Sequence, residues 1–134
     1  MLAQMAGFFE GEGCISIGSC GGKQFHLMIR ISNTCTRPLL RFSKYFGGKI
    51  RYHSVSHPNG KLIYGWICPT SQQLSFLKQL GHLIEVRPER VKIANQFIEL
   101  KSWGCQGRKI SARSYTRRKE LYEQMKIINK TGRR

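Results

Sequence analysis

Apolar and polar residues alternate along residues 24–32, and this pattern limits what the chain can fold into more than any other feature. In an extended strand, successive side chains point to opposite faces. One face therefore collects Phe25, Leu27, Ile29 and Ile31. The other face carries mainly polar side chains. A strand of this kind covers a core with one face, so we expect an antiparallel sheet with helices on one side.

Turn signals divide the first half of the chain into two hairpins. Their strands are predicted over residues 14–20 and 24–32, joined at Gly21-Gly22, and over residues 49–56 and 61–68, joined at Asn59-Gly60. In the last of these strands, Tyr64 and Trp66 alternate with Ile63, Gly65 and Ile67. We expect the two aromatic side chains on the exposed face of the sheet.

Helices are predicted around the hairpins, over residues 1–10, from Thr36 to Gly47-Gly48, and over residues 71–83, 88–102 and 111–129. The helix at residues 71–83 has Leu74, Leu77 and Leu80 at core spacing. The order is αββαββα followed by further helices. The prediction is a single domain of the α+β class over residues 1–134, ending in a basic helix at about 111–129.

The charge of the chain points to a polyanionic partner. The sequence has 23 Lys and Arg against 7 Asp and Glu, a formal net charge of +16. Nucleic acid is the first expectation and an anionic membrane surface the second. No apolar run approaches the roughly 18 residues of a membrane span, and no secretory leader is recognisable. A strand pair fits the major groove of DNA, although an ordinary solvated sheet face is the alternative reading.

The residues expected to face the bases are those on the polar side of the predicted sheet. They are Ser16, Gln24, His26, Arg30, Lys49, Arg51, His53, Tyr64 and Trp66. Arginine pairs with guanine edges and glutamine with adenine, so we expect these pairings for Arg30, Arg51 and Gln24. The basic terminal helix is expected to contact phosphates or flanking DNA through Arg113, Arg117, Arg118 and Lys119.

Acidic residues are so rare that candidates for metal chemistry are few. The chain has no Asp, and its first 84 residues contain only Glu10 and Glu12. Both fall at the predicted end of a helix, where the helix dipole disfavours carboxylates. Either a cation such as Mg²⁺ compensates them, or they are solvent-facing turn residues. The five cysteines form no C-x-x-C pair and are read as reduced, small apolar residues.

The segment that contains these acids, MAGFFEGEG at residues 5–13, resembles the LAGLIDADG signature of the homing endonucleases. Met5-Ala6-Gly7 corresponds to L-A-G, and Glu10-Gly11-Glu12-Gly13 corresponds to D-A-D-G. The αββαββα order agrees over about residues 1–130. The resemblance implies a four-stranded, mostly antiparallel saddle sheet with helices on one face. Because the motif occurs once, it also implies a homodimer that packs through Ala3, Ala6 and Gly7.

The resemblance implies an activity as well. The family consists of intron-encoded, site-specific DNA endonucleases that act on long, near-palindromic double-stranded targets and leave 3′ overhangs. By this likeness Glu12 and the carbonyl of Gly11 hold Mg²⁺. Mn²⁺ is expected to substitute, and Ca²⁺ to bind without supporting cleavage. Asn33 is expected to orient the attacking water, Arg37 to lie near the scissile phosphate, and Arg87 to steady the transition state.

Two other functions are left open by the sequence. The same fold is compatible with a non-cleaving RNA-splicing maturase or DNA-binding protein, and the charge alone with a basic ribosomal RNA-binding protein. Retention of both acids favours the enzyme, because a pure binder has little use for a carboxylate beside phosphates. We expect an intracellular location, in an organelle (chloroplast or mitochondrion) or in a microbial or phage setting, and no membrane partner.

Overall fold

A computed structural model describes residues 2–20, 24–53, 62–85, 87–102 and 112–131. The helices and strands in these ranges are α1 (Leu2–Glu12), β1 (Gly13–Cys20), β2 (Gln24–Asn33), α2 (Thr36–Phe46), β3 (Ile50–His53), β4 (Ile63–Ile67), α3 (Gln73–Leu80), α4 (Pro88–Ser102) and α5 (Ala112–Thr131). Short 3-10 turns at Thr70–Gln72 and Gly81–Leu83 flank α3. The α+β class and the αββαββα order with further helices are confirmed. The predicted turns at Gly21-Gly22 and Asn59-Gly60 lie outside the described residues.

The four strands form one antiparallel sheet in the order β1-β2-β4-β3. Burial alternates along β2 as predicted, with Phe25 to Ile31 covered at every second position. In the register of β4, Trp66 is opposite Ile31 on one side and Ile50 on the other. Residues directly opposite each other share a face, so Trp66 points to the covered face of the sheet. We call the opposite face, which carries Arg30, the open face.

Judged by which Cα atoms lie close together, the residues group into two compact units. The first unit consists of Met1–Cys14 and Ile29–Val86, and the second of Ile15–Met28 and Arg87–Arg134. Both hairpin strands β1 and β2 therefore contribute to each unit. In the described part of the chain, no helix has the length and apolar character needed to span a membrane.

Aromatic side chains from α1, α2, α3 and β4 form the core of the first unit. Phe42 lies 5.3 Å from Trp66, and Phe76 lies 5.1 Å from both Phe9 and Phe46, measured between ring centroids. These rings are almost fully buried. Burying large rings removes much apolar surface from water and is the main favourable term for this unit.

The end of α2 explains why Trp66 points inward. Gly47 and Gly48 both have positive φ, 83° and 86°, which is a conformation that glycine adopts without steric cost. The reversal aims the carbonyl of Gly47 at the indole, and Trp66 Nε1 donates a hydrogen bond to it at 2.8 Å. A buried indole N–H needs such a partner.

One predicted core row was partly wrong. In α3, Leu77 and Leu80 are buried as expected, but Leu74 is 42 % exposed. Phe76 takes the third core position, because its ring completes the aromatic cluster. The row along the helix is therefore set by Phe76, Leu77 and Leu80.

In the second unit, α4 packs against α5, and both contribute to a separate core. The ring of Phe25 lies 5.1 Å from Tyr122 and 5.6 Å from Tyr115 of α5. Asn129, near the end of α5, donates from Nδ2 to the carbonyl of Ile15 at 3.2 Å. This bond ties the end of α5 to β1, which is an edge strand of the sheet.

Candidate metal site and nucleic-acid interface

The two acids at the end of α1 have different surroundings. Glu10 is half-buried, and its Oε1 accepts a hydrogen bond from the backbone N–H of Glu85 at 2.5 Å. Glu12 is the exposed last residue of the helix. Among the described residues it has no hydrogen-bond or ion-pair partner, and the last turn of α1 carries no basic residue. Glu10 is therefore tied into the fold, while Glu12 is available to a ligand.

Gly13 makes the direct change from helix to strand possible. The ring of Phe9 packs against Gly13, and a Cβ at Gly13 would clash with three atoms of that ring, lying 2.7 Å from Cγ and closer still to Cδ2 and Cε2. Phe9 is itself buried against Phe76 and cannot easily move aside. The last glycine of the MAGFFEGEG segment is thus required by packing, and it fixes where the backbone places the adjacent Glu12.

The donors at this helix end suit a hard divalent cation. Mg²⁺ takes one or two carboxylates together with carbonyl oxygens, water and substrate phosphate. Glu12 and the carbonyl of the exposed Gly11 provide donors of this kind. Within the described ranges no group of three His, Cys, Asp or Glu side chains comes together, so a closed all-protein metal site is not formed there. Burial raises the pKa of the Cys68 thiol to about 12, so without a metal this thiol is protonated at neutral pH.

Asn33 and Arg37 lie on either side of the start of α2. The Oδ1 atom of Asn33 accepts a hydrogen bond from the backbone N–H of Cys35 at 2.9 Å, which holds the turn before the helix. Arg37 is exposed and lines a cavity of about 370 Å³ with Gln4 and Phe8 of α1. No hydrogen bond or ion pair links Glu12, Asn33 and Arg37 to one another in the described residues. Their catalytic roles stay predictions.

Arg87 belongs to the second unit and immediately precedes α4. Its φ of 55° lies in the left-handed region, which costs a non-glycine residue roughly 1–2 kcal/mol. The carbonyl of Arg87 accepts a hydrogen bond from the N–H of Arg90 at 3.2 Å and so begins the helix. Its role in stabilising a transition state also stays a prediction.

The open face of the first unit carries basic side chains, and the surrounding stretch of sequence contains no acidic residue. Arg30, Lys49 and Arg51 are exposed, and no Asp or Glu occurs between residues 13 and 84. Arg51 is opposite Gly65, whose lack of a side chain leaves room beside the guanidinium. Lys49 and Arg51 line a cavity of about 410 Å³ together with Gly65 and Ile67. His53 is paired with Ile63 in the register of β3 and β4.

Two residues predicted to face the bases lie on the other side of the sheet. Trp66 is 0 % exposed, so the prediction that it reads bases is wrong. Tyr64 is opposite Asn33 and Tyr52, two residues from Trp66, and therefore shares the covered side. The alternation in β4 was identified correctly, but the wrong one of its two faces was assigned to DNA. Ile67 is the residue this error missed: it is 50 % exposed on the open face.

The open face of the second unit contains Gln24 and His26, which are both exposed as predicted. The His26 ring lies directly over Gly18, so a Cβ added there would fall 2.5 Å from Nε2. Ser16 is half-buried, and its hydroxyl oxygen is covered with no hydrogen-bond partner among the described residues. In this conformation the Ser16 hydroxyl does not reach solvent, whereas the two longer side chains do.

Fewer basic side chains of α5 are available for phosphate contacts than the sequence indicated. Arg113 and Lys119 are exposed. Arg117 forms an ion pair with Glu120 at 2.9 Å. Arg118 is only 7 % exposed and lies over the ring of Phe97, 5.9 Å from its centroid. Burial lowers the pKa of Arg118, and its placement excludes the predicted phosphate contact.

The small residues of α1 divide between its two sides. Ala3, Gly7 and Gly11 are exposed at intervals of four and form one row on the helix surface, which we call the small-residue row. A Cβ at Gly7 would meet no atom within 4 Å. Ala6 is only 1 % exposed and packs inside its own unit, so the prediction that it contributes to a dimer interface is wrong.

Solved structures of other proteins share this fold. The archaeal intron-encoded homing endonuclease I-Vdi141I, complexed with DNA, has a TM-score of 0.78 at 17 % identity, covering 99 % of this chain and 86 % of its own. For I-CvuI, in complex with its target in the presence of Ca, the TM-score is 0.70 at 18 % identity, with coverages of 95 % and 80 %. For the LAGLIDADG homing endonuclease I-GzeII, in complex with a DNA target, it is 0.64 at 22 % identity, with coverages of 93 % and 43 %.

Sequence comparison adds no relative, since no protein-family model and no curated protein matches the chain. For I-Vdi141I the structural likeness extends over nearly the whole chain. The chain has the fold of the LAGLIDADG homing endonucleases.

Proposed function

We propose that this protein is a site-specific, metal-dependent DNA endonuclease that acts as a homodimer. The observation that carries the proposal is the exposed, unpaired carboxylate of Glu12 at a helix end, where the neighbouring acid, Glu10, is already bonded to the backbone of Glu85. A carboxylate beside a phosphate chain is unfavourable for a protein that only binds DNA, because the two groups repel each other. It is useful where a divalent cation is held between them.

The residues at the end of α1 would bind that cation. Glu12 and the Gly11 carbonyl would hold Mg²⁺, with Mn²⁺ able to replace it and Ca²⁺ binding without supporting cleavage. When bound, the ion would offset the charge that develops on the attacking and leaving oxygens of an in-line displacement. Arg37 and Arg87 would offset phosphate charge as fixed cations, since arginine stays protonated at any working pH. The Asn33 amide, oriented by its bond to Cys35, would position the attacking water.

The small-residue row supports the homodimer. Rows of Gly and Ala at four-residue spacing allow two helix backbones to approach closely. Ala3, Gly7 and Gly11 are exposed in such a row, and the space beside Gly7 is empty. Packing of two copies through this row would bring one Glu12 from each protomer to a common centre. Such a pair would cut both strands of a near-palindromic target and leave 3′ overhangs.

The open face would bind the duplex. Its cations are expected to contact phosphates and guanine edges, and Gln24 an adenine. A net charge of +16 predicts affinity that falls steeply with salt, because bound counterions are released from DNA. The same face would also serve a binding protein, so binding alone does not identify the enzyme.

The test is cleavage of a randomised duplex library by the purified chain in Mg²⁺, Mn²⁺, Ca²⁺ or EDTA. We expect sequence-specific double-strand cuts in Mg²⁺ and Mn²⁺, with none in Ca²⁺ or EDTA. Binding of the duplex without cuts in any metal would overturn the endonuclease and favour the non-cleaving alternative. Cleavage that persists in EDTA would overturn the metal dependence.

A further inference from the structure

We propose that Ile67 is a specificity-determining residue that contacts the 5-methyl group of a thymine in the major groove. The inference rests on the proposed binding of DNA by the open face. It concerns a side chain that the sequence pattern did not assign to that face, and it names the chemical group that the side chain recognises.

The register of β4 fixes the position of Ile67. Its Cα pairs with that of Arg30, and opposite residues in a sheet point to the same side. Trp66 and Cys68, its neighbours in sequence, are 0 % and 2 % exposed, whereas Ile67 is 50 % exposed. The core therefore holds the strand on both sides of Ile67 while the isoleucine itself stays outside.

Ile67 differs in its surroundings from the other large exposed apolar side chains of the described residues. On β3, the 57 % exposed Tyr52 is opposite Tyr64 on the covered side of the sheet, and Leu62 precedes β4. Leu40, Tyr45, Leu74 and Ile127 lie on helices. Ile67 lies opposite one arginine, and it lines the 410 Å³ cavity together with Lys49 and Arg51. An isolated isoleucine on a protein surface is ordinary. An isoleucine surrounded by cationic side chains that suit nucleic acid is expected to contact nucleic acid as well.

The chemistry of the duplex provides that partner. An isoleucine cannot pair with a phosphate or with a donor or acceptor on a base edge. The one apolar group that the four standard bases display in the major groove is the C5 methyl of thymine. Arg30 and Arg51 are suited to guanine edges on either side of it. The geometry therefore assigns a thymine contact to Ile67, in the same stretch of target as the guanine contacts.

The experiment compares two randomised duplex libraries that differ only in this methyl group. One is synthesised with thymidine and the other with deoxyuridine in its place, and each is bound to the wild-type chain and recovered for sequencing. We expect a thymine preference at one position of each half-site in the first library. At that position, uracil in the deoxyuridine library should be enriched about fourfold less than thymine is in the first library. This factor corresponds to the free energy of burying one methyl group.

Variants assign the effect to the side chain. Ile67→Ala should show no difference between the two libraries at that position, while Ile67→Val should retain most of it. Leu74→Ala is the matched control, because Leu74 has similar exposure, 42 %, on α3; its profile should match the wild type. Melting temperatures of all variants should agree closely, since half of the Ile67 side chain is already in water.

Two results would overturn the inference, and they are distinguishable. If wild-type protein binds duplexes selectively but enriches thymine and uracil equally, or if Ile67→Ala keeps the thymine preference, the Ile67 contact alone is wrong. If the wild-type chain enriches no duplex from either library, the proposed DNA-binding function is wrong and the Ile67 contact with it.

Discussion

The carboxylate of Glu10 accepts a hydrogen bond from the backbone N–H of Glu85 at 2.5 Å, and this bond distinguishes the two acids at the end of α1. Glu10 joins the helix to the segment that follows the second 3-10 turn, 75 residues later in the chain. Glu12, two residues on, has no such bond in the described part of the structure. One acid of the motif is structural, and the other is free for chemistry.

Removing the Glu10 acceptor should weaken the fold. We expect Glu10→Ala to lower the free energy of unfolding by about 1 kcal/mol. The variant loses one hydrogen bond, but it also removes a carboxylate that the helix dipole disfavours, so the net loss is small. Glu10→Gln keeps an oxygen acceptor and should cost less than half of this. Urea unfolding of the three proteins measures the difference. Equal stability of Glu10→Ala and wild type would show that the bond contributes nothing.

Gly13 should tolerate no side chain. Gly13→Ala forces the buried Phe9 ring to shift and should destabilise the protein by about 2 kcal/mol, as overpacked cores commonly do. Gly11→Ala is the control for stability, because a Cβ there meets no atom within 4 Å. Thermal unfolding should separate the two variants clearly. Similar melting temperatures would contradict the packing described for Phe9.

The small-residue row predicts a dimer that Gly7→Leu disrupts. A Cβ at this position meets no atom of its own protomer within 4 Å, so we expect the monomer to fold normally while close helix approach is blocked. Sedimentation equilibrium should show the wild type as a dimer and Gly7→Leu as a monomer. Lys78→Leu, on the exposed side of α3, controls for added apolar surface. Dimerisation of Gly7→Leu with wild-type affinity would rule out this row as the interface.

Gly18 should influence what His26 recognises. Gly18→Ala places a Cβ 2.5 Å from the present position of His26 Nε2, so the exposed ring must turn away. The change should hardly affect stability, since the ring is free to move. In a binding-site selection, Gly18→Ala and His26→Ala should alter base preference at the same position. A wild-type profile for Gly18→Ala, with an altered one for His26→Ala, would contradict this coupling.

Strand alternation and turn residues were enough to predict the element order and the buried side of β2. That pattern is local: Phe25 and Leu27 are apolar, their neighbours Gln24 and His26 are not, and only one face can be covered. In β4 both alternating sets contain apolar residues, so the pattern could not tell which set faces the helices. The choice was made by tertiary contacts, namely the carbonyl of Gly47 and the ring of Phe42 that meet Trp66.

Some residues of the candidate site were predicted correctly from the sequence and others were not, because tertiary contacts decide which side of a helix is buried. Glu12, Ala3 and Gly7 were identified through the likeness of the MAGFFEGEG segment to a known signature, and the structure places all three at the surface of α1. The burial of Ala6 and Arg118 was not found, because spacing alone does not say which side of a helix meets a neighbour. Ile67 could have been found from its alternation with Gly65, had the buried side of β4 been assigned correctly.

The most direct test of the account is a parallel measurement of binding and cleavage by wild type and Glu12→Gln on a duplex selected by the wild-type protein. In Mg²⁺, the variant should cut at least about 100-fold more slowly, the scale on which losing one charge-stabilising group affects a reaction. Its affinity for the duplex in Ca²⁺ should be unchanged or higher, because a negative charge beside phosphates has been removed. Cleavage by Glu12→Gln at the wild-type rate would contradict the assignment of this carboxylate, and with it the proposed mechanism.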